Sequence, residues 1–144
     1  FGLVATIGAT YVQTEHVTGL SAVAAIPVGL LATALLVINN LRDIPGDTES
    51  GKKTLAVRLG DRRTRGLYVG MLVLAFATVP AVAGGFDRGP AAIALVGIVL
   101  ARQPVLEVLE GAKGADLIGV LGATGRVQLI TGALLAAGLW IGAG

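Results

Sequence analysis

The stretch Ile38-Asn39-Asn40-Leu41-Arg42-Asp43-Ile44-Pro45-Gly46-Asp47 decides the fold, because it marks an abrupt chemical boundary. The residues before it, Leu20 to Ile38, carry no charge. From there to position 65 the chain holds seven of its eleven Lys and Arg: Arg42, Lys52, Lys53, Arg58, Arg62, Arg63 and Arg65. A helix needs roughly 20 apolar residues to cross the ~30 Å hydrocarbon core of a bilayer. The boundary therefore reads as a membrane helix emerging into water. The whole chain agrees with this reading. Its 144 residues are 54% hydrophobic and only 14% charged, with a mean hydropathy of +0.82. A soluble domain carries about 25% charged residues, so this chain belongs in a lipid bilayer. It has no cysteine, which excludes disulfides, thiolate metal sites and a catalytic thiol, and its one histidine, His16, excludes a histidine-based zinc cluster. The 22 glycines follow no Gly-X-Y period and suit close helix packing in lipid. The net charge of +2 is small, and no nucleic-acid partner is expected.

Working outward, the same length rule finds the other spans. Phe1 to Thr14 reads as the remainder of a first span, and Leu67 to Phe86 as a charge-free third. A fourth starts at Gly89 and is charge-free to Ala101, reaching spanning length if Arg102 snorkels to the interface. The last runs from Val127 to Gly144, with Trp140, like Tyr68 at the start of the third span, expected as an interfacial aromatic. Two polar loops remain, 39–66 and about 107–126. Arg102, Lys113 and Arg126 lie on or beside the second, which leaves only Arg88 elsewhere. Two intervening spans put both loops on one face, and the positive-inside rule makes that face cytoplasmic. The expected fold is all-α, a polytopic transmembrane bundle of four full spans and part of a fifth. Residues 1–14 have no basic lead, and the one methionine is Met71. The start is therefore read not as a signal peptide but as the inside of a transmembrane helix in a longer protein.

The motif carries the chemistry. Asn40, Asp43 and Asp47 are spaced i, i+3, i+7 and would share one face of a helix. Two carboxylates and an amide oxygen form a hard oxygen donor set suited to Mg²⁺, which is usually held by few carboxylates together with phosphate and water. Arg42, Lys52, Lys53 and Arg58 beside it are the groups a diphosphate needs. On spacing alone, Asp43 and Asp47 read equally well as acids of a solvated loop. For Arg62, Arg63 and Arg65 the solvated-loop reading is preferred. Pro45 lacks an N–H and clashes with the preceding turn, so the helix is expected to end or kink near Ile44. Lys52 to Leu59 reads as an amphipathic helix on the membrane surface.

Asn39 to Asp43, Asp47, and the run Gly51-Lys52-Lys53-Thr54-Leu55-Ala56-Val57-Arg58-Leu59-Gly60 resemble the second aspartate-rich motif of the 1,4-dihydroxy-2-naphthoate polyprenyltransferases. These belong to the UbiA superfamily of intramembrane prenyltransferases and act in menaquinone synthesis. Tyr11-Val12-Gln13 and Gly29-Leu30-Leu31-Ala32-Thr33-Ala34 are similar to this branch too, and Thr124-Gly125-Arg126 opens the expected final helix. The likeness spans the chain, with residues 29–60 diagnostic.

The resemblance implies a UbiA-type bundle, with residues 1–144 the C-terminal part of one prenyltransferase domain in a bacterial plasma membrane. It implies Mg²⁺ as cofactor, a polyprenyl diphosphate donor and 1,4-dihydroxy-2-naphthoate as acceptor, joined with loss of CO₂ to give demethylmenaquinol. Carried onto this chain, Asp43 and Asp47 are the catalytic, metal-facing carboxylates, and Asn40 stands at the motif's first position. Arg42, Lys52, Lys53 and Arg58 contact diphosphate. Tyr11, Gln13 and Asn39 are candidates for the acceptor, although Tyr11 and Gln13 serve equally well as interhelical hydrogen-bonding groups. The family's first aspartate-rich motif is missing. Glu107, Glu110 and Asp116 lack its pattern and read as a solvated helix face. That motif is expected in an N-terminal half, without which the chain should be inactive. Two competing readings are another aromatic acceptor within the superfamily and a non-enzymatic transport or scaffold subunit. The Gly51-to-Gly60 run argues for naphthoate.

Overall fold

The computed structural model describes residues 2–143, without the side chains of Leu3 and Thr14; the expected span ends at Phe1 and Gly144 lie outside the described residues. Six α-helices follow in order: α1 Gly2–Thr14, α2 Gly19–Glu49, α3 Leu55–Leu59, α4 Asp61–Gly85, α5 Gly97–Leu109 and α6 Asp116–Ile141. A 3-10 segment, Gly89–Val96, leads directly into α5. Four elements are long and apolar enough to cross a membrane: α2, α4, the 3-10 segment with α5, and α6. The fold is a polytopic helical bundle, with α1 packed against α2 as a fifth, shorter piece.

α2 starts at a capping box. The Thr18 hydroxyl accepts from the Ser21 N–H at 3.1 Å, and the Ser21 hydroxyl accepts from the Thr18 N–H at 3.2 Å. The helix then runs for 31 residues, about 46 Å at 1.5 Å per residue. That exceeds the ~30 Å hydrocarbon core. Since the apolar run occupies its first two thirds, its last three turns project beyond the core and carry the motif.

Pro45 neither ends nor replaces the helix, which continues to Glu49, so residues 39–49 are helix and not loop. A proline removes one N–H and leaves the Leu41 carbonyl without its helical donor, a loss that this helix absorbs at Pro45 as it does at Pro27. The Thr48 hydroxyl also donates to the Ile44 carbonyl at 2.7 Å. The helix stops at Gly51, whose φ of +72° suits a residue without Cβ. The Lys52 N–H then reaches the Asp47 carbonyl at 2.8 Å and the Gly51 N–H the Thr48 carbonyl at 3.1 Å, a Schellman stop.

Helix α6 begins at Asp116 and not at the expected Val127, so the second polar loop shrinks to residues 110–115. Arg126 and Gln128 lie within the helix, well inside the span. Helix periodicity continues across them because a single exposed arginine does not interrupt an otherwise apolar or small-residue run. The fourth span likewise continues past Ala101 to Leu109 with Arg102 exposed. The expected surface helix is only five residues long, Leu55–Leu59, with Ala56 buried.

The core sits between α2, α4, α5 and α6. Leu31, Ala34, Ile38 and Leu41 of α2 meet Tyr68, Leu72, Ala75 and Phe76 of α4, with Val108, Leu117, Val120 and Val127 closing the cluster. A second cluster, from Ala24, Val79, Val82, Ala91 and Leu135, fills the opposite end. There Gly138 lets α6 approach the backbone of the 3-10 segment so closely that a Cβ would lie 2.5 Å from the Pro90 oxygen. Such contacts replace the hydrophobic drive that lipid does not provide. Tyr68 is wholly buried and not interfacial, with its hydroxyl 2.8 Å from that of Thr124. Thr124 donates its own proton to the Val120 carbonyl, so Tyr68 is the donor to Thr124.

Candidate functional site

The site is built on the projecting end of α2. Because the helix is unbroken through Asp47, Asn40, Asp43 and Asp47 fall on one face. This face lies away from Ile38 and Leu41, which are buried against the bundle. Asp43 is held by two neighbours. Arg42 donates through Nε to its Oδ1 at 2.8 Å and through Nη2 to its Oδ2 at 3.2 Å. Asn39 donates through Nδ2 to the same Oδ2 at 3.3 Å, while its own Oδ1 accepts from Arg42 Nη2 at 3.1 Å. Asn39, Arg42 and Asp43 thus form one closed ring of hydrogen bonds.

Asp47 is more enclosed, with its side chain only 12% exposed. The Schellman turn folds Lys52 back over the helix end, so that its Nζ sits 3.4 Å from Asp47 Oδ1. Lys53 and Arg58 are exposed on the segment that follows, where the Thr54 hydroxyl caps α3 by accepting from the Val57 N–H at 3.3 Å.

The energetics of these pairs bear on what they can bind. The Arg42–Asp43 pair is about one third exposed on both sides, and Lys52 is 68% exposed. Ion pairs open to water are worth about 0–1 kcal/mol. Asp43 can therefore exchange its cation for another at little cost, and Arg42 and Lys52 can turn to an anion, whereas the enclosed Asp47 needs a cation in place of any it gives up. Among the described residues, no group of three acidic, histidine or cysteine side chains is arranged to hold a metal ion. The donor set here, two carboxylates and an amide oxygen, fits Mg²⁺ as one side of a site completed by phosphate and water.

Other expected site residues lie elsewhere. Tyr11 and Gln13 are exposed on α1. α1 runs antiparallel to α2, with Gly2 against the backbone of Gly29. Counting 1.5 Å per residue from that crossing puts Tyr11 and Asn39 roughly 28 Å apart along the helix axes. The structure therefore does not join them in one site. Glu107 accepts from Gln103 Nε2 at 2.8 Å, and Glu110 and Asp116 are exposed.

Arg65 departs most from expectation. It is 8% exposed and is no solvated loop cation. Its guanidinium grips Asp61 at 2.7 and 2.8 Å and reaches the carbonyls of Val108 at 2.7 Å and Ala112 at 2.8 Å. The two polar connections are thereby pinned at the same end of the bundle. Gln128 was also missed. It faces Asn39 across a cavity between α2 and α6, and a last span beginning at Val127 puts it in that span's first turn, beside Arg126, and not inside it.

The family model described as the UbiA prenyltransferase family matches residues 1–113, and the chain belongs to that family. It is 42% identical over 96% of its length to a 1,4-dihydroxy-2-naphthoate octaprenyltransferase of Mycobacterium leprae, covering 48% of that protein. It is 40% identical over 99% of its length to the Mycobacterium tuberculosis protein of the same name, again covering 48%. A third relative so named, from Haemophilus influenzae, is 35% identical over 99% of the chain, which covers 46% of it. The chain thus spans about half the length of the curated relatives it matches. No solved structure shows a significant match to it.

Proposed function

We propose that the chain forms the half of a 1,4-dihydroxy-2-naphthoate polyprenyltransferase that carries one of its two acidic motifs. The observation that carries this reading is the projecting end of α2, where Asn40, Asp43 and Asp47 share a face and the following turn returns Lys52 to Asp47. The names of the relatives supply the substrate class.

In this reading Asp43 and Asp47, with Asn40, hold Mg²⁺, which when bound neutralises the donor's diphosphate and favours its departure. Arg42 and Lys52 leave their weak pairs and, with Lys53 and Arg58, bind the diphosphate oxygens. Charge that develops as the allylic C–O bond breaks is met by these preplaced cations. The electron pair leaves with diphosphate, the ring carbon bearing the carboxylate forms the new C–C bond, and CO₂ departs. Asn39 holds Asp43 in place from the apolar side. The motif end faces the cytoplasm, in keeping with the positive charge gathered there. The other half of the protein supplies the second acidic cluster, so these 144 residues alone are inactive.

The test is prenylation in membranes containing the full-length protein, supplied with dihydroxynaphthoate, a polyprenyl diphosphate and Mg²⁺ and read by mass spectrometry. Prenylated naphthoquinol with release of CO₂ supports the reading. Transfer to 4-hydroxybenzoate instead would keep the class and change the acceptor.

A further inference from the structure

We propose that Gln128 reads the oxygen substituents of the aromatic acceptor and sets acceptor specificity. The inference rests on the transferase reading above and names a residue within it. A cavity of about 600 Å³ lies between α2 and α6, within the roughly 300–1,000 Å³ of small-molecule sites. Leu35, Leu36 and Leu121 form apolar walls, and Thr33, Asn39 and Gln128 are its polar side chains. Thr33 is already satisfied, because its hydroxyl donates to the Gly29 carbonyl at 2.8 Å. Asn39 is engaged with Arg42 and Asp43. That leaves Gln128, which is half-buried and has no hydrogen-bond partner among the described residues.

Gln128 stands about 18 Å along α6 from Asp116, deep in an apolar span. A polar side chain at that depth normally faces a neighbouring helix, the bundle interior or a cavity, and Gln128 lines a cavity. One amide offers both a donor and an acceptor, which suits the hydroxyl and carboxylate oxygens of a planar aromatic acid whose ring lies against leucines. Asn39 ties the mouth of the cavity to Asp43 at 3.3 Å, so an occupant sits beside the proposed diphosphate site. The other large cavity, about 700 Å³ between α4 and α5, is lined by aliphatic groups and Phe76, with Arg102 its one polar residue. It has no amide to read an acceptor's oxygens.

The experiment uses the full-length protein in detergent, with Gln128→Leu and Gln128→Asn. Binding of the non-reacting probe 1-hydroxy-2-naphthoate is followed by its own fluorescence, and turnover is measured in parallel. Gln128→Leu should weaken probe binding and raise the acceptor KM by roughly ten- to a hundredfold, as for one lost hydrogen bond to a polar or charged group. The donor KM and thermal midpoint should stay unchanged, and Gln128→Asn should fall between. Normal turnover by the parent, with probe binding and acceptor KM unchanged in Gln128→Leu, overturns the proposal and spares the transferase reading. A parent that binds the probe through Gln128 yet transfers no prenyl group sinks that reading and leaves the aromatic site standing. Loss of donor affinity equal to that of the acceptor, or a lowered midpoint in both variants, makes Gln128 structural and also overturns the proposal.

Discussion

The guanidinium of Arg65 donates to the carbonyl oxygen of Val108 at 2.7 Å, joining residues 43 positions apart in the chain. Val108 ends the buried face of α5, and the same guanidinium also holds Ala112 in the turn beyond. A cation from α4 thus adds a charged donor to the Val108 carbonyl, which also accepts the Gly111 N–H at 3.2 Å, and meets the Ala112 carbonyl in the turn beyond.

Lysine cannot reproduce that fork, because it presents a point charge on a flexible stem. Arg65→Lys should therefore destabilise the full-length protein by about 1.5–3 kcal/mol, the worth of a hydrogen bond from a charged donor. Asp61→Asn should cost less, since Asp61 is half exposed and an asparagine oxygen still accepts one of the two bonds from Arg65. Thermal midpoints in detergent check the order. Equal losses from both substitutions would mean that the carbonyl contacts carry no weight.

The Tyr68–Thr124 bond makes a second prediction. Side-chain hydrogen bonds between membrane helices average about 0.6 kcal/mol and reach about 1.7. A double-mutant cycle of Tyr68→Phe and Thr124→Val should give a coupling in that range, read from unfolding free energies. A coupling of zero would mean that Tyr68 is held by packing alone.

What the sequence made legible was set by how local each signal is. Span number and the shared end of the polar loops follow from hydropathy and charge counts, and the positions of α2 and α4 bear them out. The motif's common face followed from spacing alone, because i, i+3 and i+7 meet on any continuous helix. The misplacements arose where one residue was given more weight than its surroundings. Pro45 suggested a break that the helix does not make, and Arg126 suggested a span start whose helix begins ten residues earlier, at Asp116. Tyr68 and Arg65 were assigned to interface and solvent by residue type, whereas Thr124, Val108 and Ala112 bury them from far along the chain. Gln128 becomes visible only when α6 is laid against α2.

Orientation provides a third prediction. The chain has no cysteine of its own, so single cysteines placed at Ser50 and Asp87 in the full-length protein report on opposite ends, given cysteine-free surroundings. A membrane-impermeant maleimide applied to intact cells should label position 87 and spare position 50. The reverse pattern would place the α2 motif outside the cell.

The acids of the other connection supply a control. Glu107 is occupied by Gln103, and Glu110 is exposed. The double substitution Glu107→Ala, Glu110→Ala should leave prenyl transfer within about threefold of the parent, because surface changes away from a site usually shift stability by no more than ±0.5 kcal/mol. A dead double variant would move the metal-binding role to that loop.

The account turns on Asp43 and Asp47. Asparagine keeps the size of each side chain and the hydrogen bonds to Arg42 and Asn39 that an oxygen can accept, while removing the charge. The decisive measurement is prenyl transfer by full-length Asp43→Asn and Asp47→Asn in membranes, titrated with Mg²⁺ after chelation with EDTA. The parent should lose activity with EDTA and regain it with Mg²⁺. Each variant should fall by about 10²–10³-fold, the range for losing one preplaced electrostatic group, with the fold intact by thermal midpoint. Turnover in both variants within a few-fold of the parent, at the same Mg²⁺ dependence, would contradict the assignment of this helix end as the metal and diphosphate site.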